Sequence, residues 1–177
     1  MIYRSRDAEQ AAILAVAQQL CVAARTAPKT CGIDHLQTMI LTGEDKDALA
    51  ARMEALAEPL GFAFFRRDAA CVRKSGAIVL FGVNESVRGI GAGCGYCHKK
   101  DCAECAEQDA VCVYDPIDLG IAVGSAAASA ADSRVDSRVL FSAGRAALED
   151  KLMGESVTMV LSIALSASGK SPFFDRK

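Results

Sequence analysis

Five of the eight cysteines in this chain fall between positions 94 and 112: Cys94, Cys97, Cys102, Cys105 and Cys112. A packed core distributes its small apolar residues at helix or strand periods among larger side chains, and thiols gathered in one stretch do not follow that pattern. The density of thiols therefore predicts a metal site.

The spacing of these cysteines favours an iron–sulfur cluster over a single zinc ion. A structural zinc ribbon places roughly 15 to 20 residues between its two Cys-x-x-Cys knuckles, so that two turns face each other across the ion. Here only four residues, 98–101, separate Cys97 from Cys102. A 4Fe-4S cluster is a larger object, which one loop can wrap with ligands at short and uneven intervals. Cys94, Cys97 and Cys102 followed by Cys112 fit that arrangement, within a predicted cluster-binding loop of residues 88–113.

The spacing leaves the fourth ligand open, because a set that ends at Cys105 releases Cys112 and the other set releases Cys105. A four-thiolate zinc site or a regulatory dithiol is the alternative to a cluster. Glycines at positions 91, 93 and 95 would let backbone amides turn toward sulfur. The basic residues of the loop would lie beside an anionic cluster: Arg88, Lys99 and Lys100.

A second polar stretch, residues 24–37, follows the first predicted helix. A proline ends that helix, and Arg25, Thr26 and Lys29 gather in the loop after it. These groups could bind a phosphate, or they could form a solvated surface. His35 in the same loop is interpreted as a structural histidine.

The periodicity of apolar residues predicts the helices and strands that must position these stretches. Helices are expected at 7–24, from 43 to a glycine cap at 61, at 115–131 with Asp115 as N-cap, and near 143–152, opened by Asp136 or Ser142. Strands are expected at 36–42, 62–65, 77–83 and 157–165. The glycines at 120 and 124 indicate that something approaches their helix closely, either another helix backbone or a flat ligand ring. The tail from 166 onward carries two phenylalanines and is expected to dock, a second subunit being one candidate surface.

Composition limits the class of protein. A chain of 177 residues with 51% hydrophobic content can bury one ordinary core, so a single domain spanning 1–177 is predicted. The net charge of −2, with both signs interspersed, offers no field to nucleic acid or anionic lipid. The N-terminal stretch lacks the apolar segment of a signal peptide, and no apolar run of about 18 residues could span a membrane. A cytoplasmic protein is therefore expected, in which thiols bind metal or stay free instead of forming disulfides.

Five blocks of the sequence carry a family likeness. They are Ala-Ala-Arg-Thr-Ala-Pro-Lys at 23–29, Gly-Cys-Gly-Tyr-Cys at 93–97, Ile-Asp-Leu-Gly-Ile-Ala-Val-Gly-Ser-Ala at 117–126, Val-Asp-Ser-Arg-Val at 135–139 and Ser-Ala-Ser-Gly-Lys-Ser-Pro-Phe-Phe-Asp-Arg at 166–176. These blocks resemble a prokaryotic family described as ferredoxin domain-containing proteins. The cysteine pattern by itself is similar to the small iron–sulfur domain of certain corrinoid-protein and electron-transport subunits, and that likeness favours Cys112 as the fourth ligand.

A fainter likeness rests on Arg-Ser-Arg at 4–6, the Ala-Ala-x-x-Ala-Pro turn at 23–28 and Asp-Leu-Gly-x-Ala at 118–122. These residues resemble the FMN-dependent nitroreductases, homodimeric α+β proteins that bind FMN at the subunit interface. The resemblance implies an α+β fold with a mixed sheet flanked by helices, into which the cysteine loop is inserted. It also implies a set of FMN-binding candidates: Arg4, Ser5, Arg6, Arg25, Thr26, Lys29 and Lys170. The Asn-x-Gln that follows the turn in nitroreductases is represented here only by residues 34–37.

Together these features predict a redox protein with an iron–sulfur cluster and, by resemblance, FMN at a homodimer interface, acting as an oxidoreductase or electron carrier. A cluster passes single electrons and a flavin also transfers hydride, so the pair would join one-electron and two-electron chemistry. The expected partner is a redox protein or a small-molecule electron donor. The alternative is a non-enzymatic interaction module in which a cluster or a zinc ion merely folds the loop. The sequence identifies no catalytic residue.

Overall fold

A computed structural model describes residues 2–174 of the chain. Its helices are α1 (Ser5–Thr26), α2 (Gly43–Leu56), α3 (Phe64–Lys74), α4 (Cys102–Glu107), α5 (Tyr114–Asp132) and α6 (Phe141–Glu149). Its strands are β1 (Leu36–Leu41), β2 (Ala77–Asn84), β3 (Asp136–Leu140) and β4 (Val157–Ser166). No helix in the described part of the chain is long and apolar enough to cross a membrane.

The four strands form one sheet in the order β1-β2-β4-β3. All three pairings are antiparallel, so the α+β architecture with flanking helices is confirmed, whereas the expected mixture of strand directions is not found among residues 2–174. The central strand β2 is buried along almost its whole length, because helices cover both faces of the sheet.

Side chains of β2 alternate between two hydrophobic cores, as the twofold period of a strand requires. Val79 and Phe81 pack into the core formed with α1 and α5. Ile78 and Leu80 pack into the core formed with α2, α3 and α6. The cysteine loop leaves the sheet after β2 and returns through α4 to α5, so it is tied to the α1 and α5 side of the molecule.

Two segments were assigned to the wrong kind of element. The apolar residues at 62–65 do not form a strand; they lead into α3, whose buried Phe65, Ala69 and Val72 recur at helical spacing. Asp136 does not open a helix but begins β3, a short edge strand. Its pairing with β4 joins residues distant in sequence, which local propensity does not reveal.

The tail docks on its own chain. Phe173 is buried in the core beneath α2, α3 and α6, and Arg138 Nη1 donates to the Phe173 carbonyl at 2.6 Å. The Arg138 guanidinium also lies 5.5 Å from the ring centre of Phe174, a cation–π distance. The predicted docking is thus found within the chain as far as Phe174, and residues 175–177 lie outside the described residues.

Candidate metal and cofactor site

All five clustered thiols line one pocket: Cys94, Cys97, Cys102, Cys105 and Cys112. The first two lie on the irregular segment after β2, the next two on α4, and the last just before α5. Asp101 caps α4 by accepting a hydrogen bond from the Glu104 amide at 2.9 Å. The fold therefore places thiols from three consecutive segments around one pocket, and their role as metal ligands stays a prediction.

A backbone amide of the loop contacts a cysteine sulfur. The Gly91 amide donates a hydrogen bond to Cys102 Sγ at 3.3 Å. Gly91 has φ +95° and Gly95 has φ +65°, in the left-handed region that residues with a Cβ seldom adopt. An amide aimed at a cysteine sulfur stabilises a thiolate, and it is one of the protein's means of setting the potential of a cluster.

Cys105 differs from the other four thiols in its surroundings. It is fully buried, and its Sγ donates to the Ala110 carbonyl at 3.2 Å, while the Ala110 amide donates to the Cys105 carbonyl at 2.9 Å. Burial, followed by the hydrogen bond with Cys97, raises the pKa of Cys105 to about 11. As long as no metal is bound, Cys105 is a neutral thiol at neutral pH.

Two tyrosines border the pocket. Tyr114, at the start of α5, lines it, and its ring stacks on that of Tyr96 with centres 6.0 Å apart. Desolvation and then a hydrogen bond with Cys94 raise the pKa of the Tyr114 phenol above its ordinary value.

Within residues 2–174, no three His, Cys, Asp or Glu side chains are grouped in the arrangement that holds a single metal ion. The five thiols instead surround a shared pocket. Five of its lining residues are cysteines, and thiolate is the ligand type of iron–sulfur clusters and of four-thiolate zinc sites. The ligand assignment itself stays a prediction.

A buried arginine lies beside the thiols. Arg88 lines the same pocket, and its side chain is only 1% exposed. Its Nη2 is 2.6 Å from Asp115 Oδ1, without the angle of a hydrogen bond, and donates to Asp118 Oδ2 at 3.1 Å. Its Nη1 donates to His35 Nδ1 at 3.0 Å. Its Nε–H has no acceptor among the described residues.

The contact with Arg88 determines which ring nitrogen of His35 carries the proton. A guanidinium can only donate, so the contact between Arg88 and His35 requires a lone pair on Nδ1. The ring proton of His35 is therefore on Nε2, and Ser86 Oγ lies 3.0 Å from the same Nδ1. The interpretation of His35 as a structural histidine agrees with these contacts.

Asp118 connects the pocket to the turn after α1. Its carboxylate accepts from the Thr30 amide at 3.1 and 3.0 Å and from the Thr30 hydroxyl at 2.8 Å. Because Arg88 donates to the same carboxylate, the cysteine loop, α5 and this turn share one buried polar network. The sequence assigned Asp115 to the N-cap, whereas the N-cap is Val113, and Asp115 and Asp118 are both buried partners of Arg88.

The predicted flavin residues after α1 are occupied by contacts within the chain. Lys29 Nζ donates to the carbonyls of Ala24, Arg25 and Ala27, each at 2.7 Å, and so closes the end of α1. Burial lowers the pKa of Lys29 below its ordinary value, against the opposing field of Asp34. Arg25 pairs with Asp34 at 2.6 Å, and Thr26 Oγ1 donates to the carbonyl of Val22 at 3.0 Å.

The other predicted flavin residues lie at the opposite end of α1. Arg4 is the residue before the helix, and Ser5 and Arg6 begin it. Arg6 lines an open groove of about 350 Å³ together with residues 166–168, two positions before Lys170. The 22 residues of α1 span roughly 33 Å, so the structure separates the two groups of candidates instead of bringing them together in one chain.

The face of α5 that carries Gly120 and Gly124 has no close neighbour in the described chain. A Cβ added at either position would meet nothing within 4 Å. Helix α1 packs on α5 through other residues, including Leu119, Ala122 and Ala126. The expected close approach to the glycines is therefore not made within residues 2–174.

Comparisons with known sequences identify the family of this chain. Residues 108–176 match the family described as uncharacterized proteins containing a ferredoxin domain. An uncharacterized protein of Archaeoglobus fulgidus is 37% identical over 184 residues, which cover 99% of this chain and 98% of its relative. The chain belongs to this ferredoxin-domain family. Of the five clustered thiols of this ferredoxin-domain protein, the segment matched by the family contains Cys112.

Solved structures show the fold. A nitroreductase with bound FMN from Desulfitobacterium hafniense superposes with a TM-score of 0.58 at 10% identity, over 88% of this chain and 78% of the other. Nitroreductase CinD from Lactococcus lactis, in complex with chloramphenicol, superposes with a TM-score of 0.61 at 14% identity, over 89% and 79%. The predicted nitroreductase-like fold is confirmed.

Proposed function

We propose that this chain is a redox protein that carries an iron–sulfur cluster on Cys94, Cys97, Cys102 and Cys112. The observation that carries the proposal is the convergence of five thiols on one pocket that a buried arginine also lines. Membership of a ferredoxin-domain family and the nitroreductase-like fold both support a redox role.

The residues around the pocket fit an anionic cluster. The Gly91 amide already donates to a cysteine sulfur, and Arg88 supplies a buried positive charge with an unused Nε–H donor. A bound cluster would supply one-electron transfer. The protein's part is to hold the thiolates, neutralise part of their charge and limit the access of water.

Cys112 is proposed as the fourth ligand and Cys105 as a structural thiol. The Cys105 thiol has two acceptors for its one proton, the Ala110 carbonyl and Cys97, and ligation would remove that proton and leave the carbonyl without its donor. Cys112 has no comparable bond among the described residues and adjoins α5, which holds the partners of Arg88.

FMN is proposed to bind between two copies of the chain. The basic groups at the two ends of α1 are farther apart than the length of one flavin, so a single flavin could contact both only if they come from different protomers. The groove beside Arg6, at about 350 Å³, falls within the size range of ligand pockets and offers a site for the phosphate end.

The open face of α5 is the proposed contact between copies. Ile117 and Ile121 are both exposed and lie one turn apart, next to Gly120 and Gly124. Small residues flanked by apolar side chains allow close helix packing. The function would then be that of an oxidoreductase or electron carrier served by a redox protein or a small-molecule electron donor.

The test is anaerobic reconstitution of the full chain with iron, sulfide and FMN. We expect about four irons and four sulfides per chain if a 4Fe-4S cluster forms. Serine at Cys94, Cys97, Cys102 or Cys112 should abolish or strongly reduce iron binding, while Cys105→Ser should retain it, since serine can still donate to Ala110. Exposed Cys31 provides the matched control, and Cys31→Ser should behave like the wild type.

A second result would identify the alternative. Colourless protein that binds only zinc at these thiols would replace the redox proposal with the metal-stabilised interaction module. Flavin binding is tested separately by fluorescence titration alongside sedimentation. A protein that binds FMN as a monomer would contradict the proposed interface, as would an Ile121→Asp variant that keeps the wild-type dimer.

A further inference from the structure

Arg88 is a buried cation that lines the pocket proposed for the cluster, and contacts within the chain hold it in place. The Arg88 side chain is 1% exposed, and its guanidinium is held from three directions by His35, Asp115 and Asp118. The other basic residues predicted near the thiols are held less firmly. Lys99 is half-buried and bonded to Gln108, and Lys100 is exposed.

Every hydrogen-bond donor of a buried guanidinium is expected to find an acceptor. Arg88 places its Nη atoms on His35, Ser86 and the two carboxylates, but Nε–H has no acceptor among the described residues. Since the side chain lines the pocket of five thiols, an acceptor at that pocket would complete the set. Cysteine and cluster sulfur are acceptors of this kind.

The carboxylates restrain the charge as well as the position of Arg88. Two acids share one guanidinium, and Asp118 is further satisfied by the amide and hydroxyl of Thr30. A charge held this way cannot swing away from the pocket, and low exposure leaves it poorly screened by water.

We propose that Arg88 is the positioning residue that sets the reduction potential of the cluster, by fixing a buried positive charge and an Nε–H donor at the thiol pocket, with Asp118 as the counter-charge that moderates it. The inference rests on the proposed function. Reduction adds a negative charge to the cluster, so a nearby cation favours the reduced state and a nearby anion disfavours it.

The experiment is anaerobic potentiometric titration of the reconstituted protein, followed by its visible absorption. Arg88→Gln should lower the reduction potential, and Asp118→Asn should raise it, because the field of Arg88 is then less compensated. Lys100→Gln is the control, since it removes the same charge as Arg88→Gln from an exposed position close to Cys102, and its shift should be much smaller.

The opposite signs separate an electrostatic role from a structural one. A change that only loosens the loop would move both variants in the same direction, and that result, or no shift in either, overturns the inference. A Lys100→Gln shift as large as that of Arg88→Gln overturns it as well. If Arg88→Gln does not fold, the sign of the Asp118→Asn shift decides. Wild-type protein without iron and sulfide overturns the proposed function and this inference together, whereas a loaded wild type with unshifted variants refutes only the inference.

Discussion

The packing of α6 against β4 depends on Gly144, and the structure predicts what a single methyl group would do there. A Cβ at this position would lie 2.1 Å from the Val160 carbonyl oxygen, 2.7 Å from its carbon and 3.0 Å from Leu161 Cα. All three are backbone atoms of β4, so no side-chain rotation can relieve the contact. Ordinary contact needs about 3.5 Å, so α6 would have to move outward by roughly 1.4 Å.

The cost follows from two opposing effects. Overpacking of this kind costs about 1 to 3 kcal/mol, and a backbone clash belongs at the upper end. Alanine gains about 1 kcal/mol over glycine in a helix interior. Gly144→Ala is therefore expected to lower the free energy of unfolding by roughly 2 kcal/mol.

The matched control is Gly120→Ala, the same change in a helix with nothing within 4 Å. It should stabilise the protein by about 0.5 to 1 kcal/mol through helix propensity alone. Both variants are measured by urea unfolding with far-UV circular dichroism, in the same cofactor state and at a protein concentration that keeps the chain monomeric. A Gly144→Ala variant as stable as Gly120→Ala would refute the packing geometry.

Three further outcomes follow from surface and tail contacts. Burial opposes ionisation of Asp34, but hydrogen bonds from Arg25 and a backbone amide outweigh burial and hold the pKa of Asp34 below its ordinary value. The stability that the ionised Asp34 contributes is therefore present above about pH 4 and is lost as pH falls through the depressed pKa. Asp34→Asn should cost up to about 1 kcal/mol at pH 7, since the pair is partly exposed, and should flatten the acid limb of a stability–pH curve. Lys29→Met removes a cation bonded to three carbonyls and should cost about 1 to 3 kcal/mol in urea unfolding. Arg138→Gln weakens the hold on the Phe173 carbonyl and should speed limited proteolysis of the tail without changing the far-UV spectrum.

Much of the element order was predictable because it follows from local patterns. The long apolar periodicity of α1 and the continuous apolar run of β2 each matched one structural template. The prediction of a strand at 62–65 was wrong because a run of four mostly aromatic residues is too short to show a period. The helix that contains the last two of them is recognised only from the residues that follow. The prediction of a helix start at Asp136 was wrong because β3 forms only through its pairing with β4.

The sequence likewise predicted one part of the candidate site and not the other. The five thiols were recognisable because short spacing within one loop guarantees that they lie near each other, whatever the rest of the chain does. The network around Arg88 was not, because His35, Asp115 and Asp118 come from separate segments and look like an ordinary loop residue and two helix-start acids.

The sequence by itself determined that this chain carries a dense thiol loop between amphipathic elements, since composition and spacing are properties of neighbouring residues. Only the tertiary structure decided that the arginine beside those thiols is buried, and that Asp118 on α5 joins it to Thr30 in the turn after α1. The reason is physical: burial, and the distance between segments remote in sequence, are set by the packing of helices on both faces of the sheet, which no local pattern encodes.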